Sequence, residues 1–226
     1  MARVITTVDN PNYKALRRIC GNRGTHNGAY YYSMEIEKNI APLIETNRPI
    51  DTLGMRAVGS SNHAIVFLHH NVNHDRTYKW LKKYDDLVLV VSSWATYEWA
   101  KQAGYKVIYL PLSIDVEYVE KFSTAKTKKA CYAGNKWAFK LKDIREMVPD
   151  DVDFPPANIE REELLRFIAP YEKCYAVGRC ALEAKVLGCK LGVCDSRYPD
   201  VSYWEVLDNK DAAKILQREL DQLNKK

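Results

Sequence analysis

Four loops in this chain hold residue types that grip phosphate and sugar hydroxyls. The first is Gly178-Arg179, followed four positions later by Glu183. Glycine lets a ligand approach the backbone closely, and an arginine holds phosphate in a two-pronged fork. A carboxylate can accept hydrogen bonds from a ribose diol. Positions four apart on a helix share a face, so the arginine and the glutamate could meet one ligand. The second loop, Gly134-Asn135-Lys136 with Lys140 beyond it, joins a glycine turn to two lysines, a combination suited to a diphosphate. The third places Gly24, His26, Asn27 and Gly28 directly before a helix, whose first N–H groups point at whatever lies above. Its spacing is not that of a dinucleotide fingerprint. The fourth is His69-His70-Asn71, with His74 nearby. Adjacent histidines on a strand face opposite ways and cannot readily share one metal ion, so at least one should point toward the crevice. Taken singly, each loop also fits an ordinary solvated turn, and each histidine a hydrogen-bonded structural role.

These loops need elements to position them, and the hydrophobic pattern supplies an alternation of strands and helices. Arg3–Val8, Ile50–Leu53, Ala64–Leu68, Leu87–Val91 and Lys106–Leu110 read as strands. Ala64–Leu68 and Leu87–Val91 are continuously apolar, as strands buried on both faces are. Between them the spacing predicts helices over Ala29–Ile44, His74–Lys83 and Thr96–Ala103, the last closed by Gly104 as a left-handed cap. In the first of these, Ala29, Ser33, Ile36, Ile40 and Leu43 fall on one face. The polar, lysine-rich stretch Val116–Lys129 reads as a linker. Beyond it the alternation restarts, with strands at Ala130–Ala133, Val152–Phe154, Cys174–Val177 and Leu191–Cys194, and helices at Lys140–Met147, Glu160–Ala169 and Cys180–Leu187. Ala212, Leu216, Leu220 and Leu223 form one stripe of a terminal helix over Asp211–Leu223, expected to pack on protein. The expectation is an α/β protein of two lobes with mainly parallel sheets, residues 1–118 and 129–226.

Composition narrows the function classes. The chain has 226 residues, 46% hydrophobic and 28% charged, an ordinary globular balance. No apolar run reaches the roughly 18–20 residues that cross a membrane. Met1-Ala2-Arg3-Val4-Ile5 lacks the layout of a signal peptide, so a cytoplasmic protein without a transmembrane segment is expected. A net charge of +5 favours phosphate-bearing ligands but falls short of the basic footprint of a dedicated nucleic-acid binder. Lys126, Lys128 and Lys129, the densest basic run, read as part of the solvated linker. The cysteines Cys20, Cys131, Cys174, Cys180, Cys189 and Cys194 show no CxxC pair and no zinc-ligand spacing. Reduced, buried thiols and no metal site are expected.

Against this background, Glu162-Glu163-Leu164-Leu165 leading to Glu183-Ala184-Lys185-Val186-Leu187-Gly188 and the apolar Leu191-Gly192-Val193 resembles the donor lobe of GT-B glycosyltransferases, especially the GT4-like group. Tyr132-Ala133-Gly134 with Lys140 resembles the opening strand and basic loop of that lobe. Tyr109-Leu110-Pro111-Leu112-Ser113-Ile114-Asp115 is similar to the segment that closes the acceptor lobe. The resemblance implies two Rossmann-like lobes, with the terminal helix returning to the first. It implies transfer of a sugar from a nucleotide diphosphate sugar to an unidentified acceptor in the inter-lobe cleft, with no cofactor and no metal. Gly134, Asn135, Lys136, Lys140, Gly178 and Arg179 would hold the diphosphate, and Glu183 the ribose. Gly24, His26, Asn27, Gly28 and Asn71 would face the acceptor or the donor sugar, with His70 as the catalytic candidate.

Two features depart from the pattern. Retaining members carry an acidic residue eight positions before the glutamate, where this chain has Tyr175. The chain is also short for the fold, as a variant from a bacterial or bacteriophage genome could be. A non-catalytic nucleotide or nucleotide-sugar binding protein therefore stands beside the enzyme. A third reading is a glycosyltransferase acting on modified DNA bases, its positive charge serving backbone contacts.

Overall fold

Strands of uninterrupted Val, Ile, Leu and Phe demand cover on both faces, and in the computed structural model they form the centre of a parallel sheet. Residues 4–5, 28–52, 63–69, 74–133, 146–156 and 159–225 are described by the structure. Strands β1 (Val4–Ile5), β2 (Ile50–Asp51), β3 (His63–Leu68), β4 (Asp86–Val91) and β5 (Lys106–Tyr109) lie in that order, all parallel. Ala64 pairs with Leu87, and the register runs through to Leu68 with Val91. On one face Ala64, Val66, Leu68, Leu87, Leu89 and Val91 pack against Tyr78, Trp80, Leu81 and Ala100. The alternate residues Ile65, Phe67, Val88 and Val90 are equally buried. Each such side chain contributes about 1.5–3 kcal/mol by leaving water.

The helical segments of this unit differ from their predicted form. The helix expected over Ala29–Ile44 is α1 (Gly28–Glu35), continued by a π-helical turn at Ile36–Ile40 and a 3-10 turn at Ala41–Leu43. Pro42 lacks the N–H that an α-helix would need there. Ser33, Ile36 and Ile40 are buried as the stripe predicts, but Leu43 is 54% exposed. The change of helical pitch turns it off the shared face. The predicted His74–Lys83 helix breaks at Tyr78 (φ −109°, ψ 15°) into α2 (His74–Thr77) and a 3-10 turn at Lys79–Lys83. In an unbroken α-helix Trp80 would point roughly 200° away from Tyr78. The break lets Tyr78, Trp80 and Leu81 enter one core. Helix α3 (Trp94–Gln102) ends as expected, with Gly104 at φ 82°.

At the start of β4, Asp86 collects Lys106, His63 and Arg48. The hydrogen bond from Lys106, then those from His63 and Arg48, hold its carboxyl well below the usual range. A depressed carboxyl contributes stability above its unfolded pKa and loses it as pH falls toward the folded value. The site is partly exposed, so the contribution is at most about 1 kcal/mol. Asp86→Asn is expected to melt lower than the parent at neutral pH, with the gap narrowing once pH drops below about 4. Melting curves across that range that keep a constant gap would remove Asp86 as the cause.

Ala29–Leu112 and Asn209–Lys226 belong to one compact unit, and Ser113–Asp208 to a second. The terminal helix, here spanning Asn209–Asn224, thus packs in the first unit. Ala212, Leu216 and Leu220 are buried, Gln217 exchanges two hydrogen bonds with the Glu45 backbone, and Asn209 donates to Glu35.

In the second unit β6 (Lys128–Tyr132), β7 (Tyr171–Tyr175) and β8 (Lys190–Gly192) form a three-stranded parallel sheet. The stretch read as a linker is structured instead. Val116–Glu120 is a short helix, α4, capped by the Asp115 carboxylate at 2.9 Å from the Tyr118 N–H. Lys126 is anchored rather than solvated: its ammonium donates to Ala169 O (2.7 Å), Leu187 O (2.6 Å) and Cys189 Sγ (3.3 Å). Those two carbonyls close the ends of helices α5 (Arg161–Ile168) and α6 (Arg179–Val186), where a cation is favoured. β7 starts earlier than predicted because β6 pairs Lys128 with Tyr171. Val152–Phe154 makes only an isolated bridge, Asp153 with Cys131, and β8 stops at Gly192 short of Cys194. Most of the predicted Lys140–Met147 helix and of the Arg3–Val8 strand lies outside the described residues. Among those described, no helix is long and apolar enough to cross a membrane.

Candidate functional site

The middle strand of the second sheet leads straight into the most informative loop. β7 ends at Tyr175, and Gly178 takes φ 64° with ψ −140°, a conformation that side chains with a Cβ rarely adopt. Among the described residues, nothing lies within 4 Å of where a Cβ would sit there. Gly178 brings no side chain to cap α6, so the first N–H groups of that helix receive no bond from it. In parallel sheets ligands bind at this carboxyl edge.

Arg179 and Glu183 share one face of α6, as the spacing predicts, and they bind each other at 3.2 Å. Arg161, the first residue of α5, reaches the same carboxylate oxygen through Nε at 3.2 Å and a terminal nitrogen at 3.1 Å. Its guanidinium lies 5.3 Å over the Tyr118 ring. The Tyr118 hydroxyl donates to Glu162, and burial together with that carboxylate raises its pKa. Arg179 is 8% exposed and Glu183 3%, so this pair does not line an open crevice face as expected. A buried carboxylate requires partners, and the two arginines are those partners. Arg161 escaped the sequence reading because it meets Glu183 across twenty-two positions of chain.

At the same edge of the sheet a second carboxylate–guanidinium pair follows β8. Asp195 is buried and bonded by both Nε and a terminal nitrogen of Arg197, which lowers the carboxyl's pKa. The Asp-Ser-Arg spacing was the only sequence signal for it. Cys180 and Cys194 lie nearby, and burial above all pushes both thiols up to about 12. Cys131, Cys174 and Cys189 are buried and unbridged as well.

Tyr175, the departure from the family pattern, is a core residue. Its ring packs with Tyr132, Val148, Val152 and Cys194, and a Cβ at Gly192 would collide with it. Lys173 lies 4.6 Å over the same ring.

Gly28 is the first residue of α1. His69 donates from Nε2 to the Thr52 carbonyl at 2.6 Å and meets the Tyr32 ring edge-on. His74 Nε2 lies 3.0 Å from the Thr96 hydroxyl, its ring is stacked on Trp99, and burial lowers its pKa. Both histidines are held by a hydrogen bond and a ring contact. Just past β2, Thr52 bonds Ser33 and Glu37, a small polar cluster that the sequence did not signal. Gly24, His26, Asn27, His70, Asn71, Gly134, Asn135, Lys136 and Lys140 lie outside the described residues. Among the described ones no group of three or more His, Cys, Asp or Glu side chains is arranged to hold a metal ion.

Comparison with known proteins found no matching family model and no matching curated protein.

Proposed function

We propose that this chain binds a nucleoside diphosphate sugar at the carboxyl edge of its second sheet and transfers the sugar to an acceptor. The observation that carries the reading is the gathering of Arg161 and Arg179 about Glu183 on the helix that the Gly178 turn opens. Transfer of a glycosyl group leaves charge on the departing diphosphate, and fixed cations and helix N–H groups are what stabilise it. Glu183 holds the two guanidinium groups in place, a positioning role more than a ribose contact. The family resemblance adds Gly134, Asn135, Lys136 and Lys140 as candidates for the diphosphate, and His70, Gly24, His26, Asn27, Gly28 and Asn71 as candidates for the sugar side.

Calorimetric titration with nucleoside diphosphates tests the reading. Arg161→Ala and Arg179→Ala should each weaken binding by about 1.5–3 kcal/mol, the range for hydrogen bonds to charged groups. Parent-like affinity in both variants moves the donor site elsewhere. The core position of Tyr175 favours a second reading, a protein that binds the nucleotide sugar without turnover. Release of nucleoside diphosphate from a nucleotide sugar, followed over time with candidate acceptors, separates the two.

A further inference from the structure

The first sheet carries a feature that the proposed donor site does not use. Trp94, the first residue of α3, is 52% exposed at the carboxyl edge of β4 and β5. Its ring is not loose. It stacks on Tyr109 at 4.1 Å between centroids and 15° between planes. Tyr97 closes the group edge-on to both rings, at 5.3 Å and 6.2 Å. One indole face is thereby held against a tyrosine, and the side chain has little freedom left to lose when something settles on the other face.

Polar groups flank it. Ser92 and Ser93 follow the strand, and Ser93 makes no side-chain bond to cap α3. Glu98 is exposed one helical turn beyond Trp94, on the same face. A flat, electron-rich ring beside hydroxyl and carboxylate groups matches a pyranose, which has one face of C–H bonds and a rim of hydroxyls. The Glu98 carboxylate and the Lys101 ammonium, which lies 5.7 Å over the Tyr97 ring, offset each other's charge here, which suits a neutral ligand.

We infer that Trp94 is the stacking platform for a neutral pyranose. Saturation-transfer NMR on the full chain with methyl glucoside, methyl galactoside, methyl mannoside and N-acetylglucosamine tests it. At least one of these should receive saturation on its ring C–H protons. Trp94→Ala should reduce its affinity about tenfold, as loss of one aromatic stack does, and Trp94→Phe should recover part of it. Nucleoside diphosphate binding should be the same in all three proteins. Melting curves check that the alanine variant keeps its fold, and the phenylalanine variant preserves the test if it does not. Absence of saturation for every sugar, or saturation unchanged in Trp94→Ala, overturns the platform. Preferential binding of a single-stranded oligonucleotide through Trp94 overturns it too. Sugar binding through Trp94 without nucleotide binding leaves the platform standing and sinks the transferase.

Discussion

Glu183→Ala is expected to lower the stability of the second unit by about 3–5 kcal/mol, the cost of stripping the partner from buried charges. The carboxylate is enclosed, and Arg161 and Arg179 both bind it. Removing it leaves two guanidinium groups close together with their shared counter-charge gone. Glu183→Gln keeps the shape and one acceptor, so its loss should be smaller. Urea melting of parent and variants gives the values, and an alanine variant within about 1 kcal/mol of the parent would show the cluster to be solvated. Stability and function can then be separated. Replacing Arg161, Glu183 and Arg179 together by methionine removes all three charges while keeping bulk, a change that buried ion clusters often tolerate. That triple variant should fold and fail to bind nucleoside diphosphate. If it folds and still binds, the cluster is purely structural.

Leu216→Ala should cost about 2–5 kcal/mol, as the loss of a fully buried leucine side chain does. Leu216 sits in the middle of the terminal helix stripe, with Ala212 above it and Leu220 below, all of them buried. The helix also bonds to Glu45 and Glu35, so a weakened stripe should loosen the segment that follows α1. Leu223→Ala, at the partly exposed end of the same stripe, should cost less than about 1 kcal/mol. Hydrogen exchange would report both effects. If the helix is protected equally in Leu216→Ala and in the parent, the stripe is not what holds it.

How far the sequence reached depended on whether an element's signal was local. Ala64–Leu68 and Leu87–Val91 are apolar at every position, and only a parallel strand covered on both faces satisfies such a run. Gly104 marked the end of α3 because its left-handed backbone favours glycine on steric grounds alone. The terminal stripe was legible for the same reason, since a 3.6-residue repeat needs no partner to be seen. Arg179 and Glu183 were placed on one helix face by spacing alone.

Other features depend on groups that the chain brings together from far apart. Leu43 turns outward because a π turn and Pro42 shift the pitch within a helix whose pattern reads as continuous. Tyr78 breaks the next helix because burying three large side chains on one side outweighs a single unbroken run of hydrogen bonds. Lys126 looks like a linker lysine until the ends of two helices converge on it. The candidate site follows the same rule. The sequence determined which charged residues stand at the end of β7 and that two of them face the same way. Only the tertiary structure brought Arg161 across to Glu183, because a buried carboxylate must find its counter-charge wherever packing supplies one.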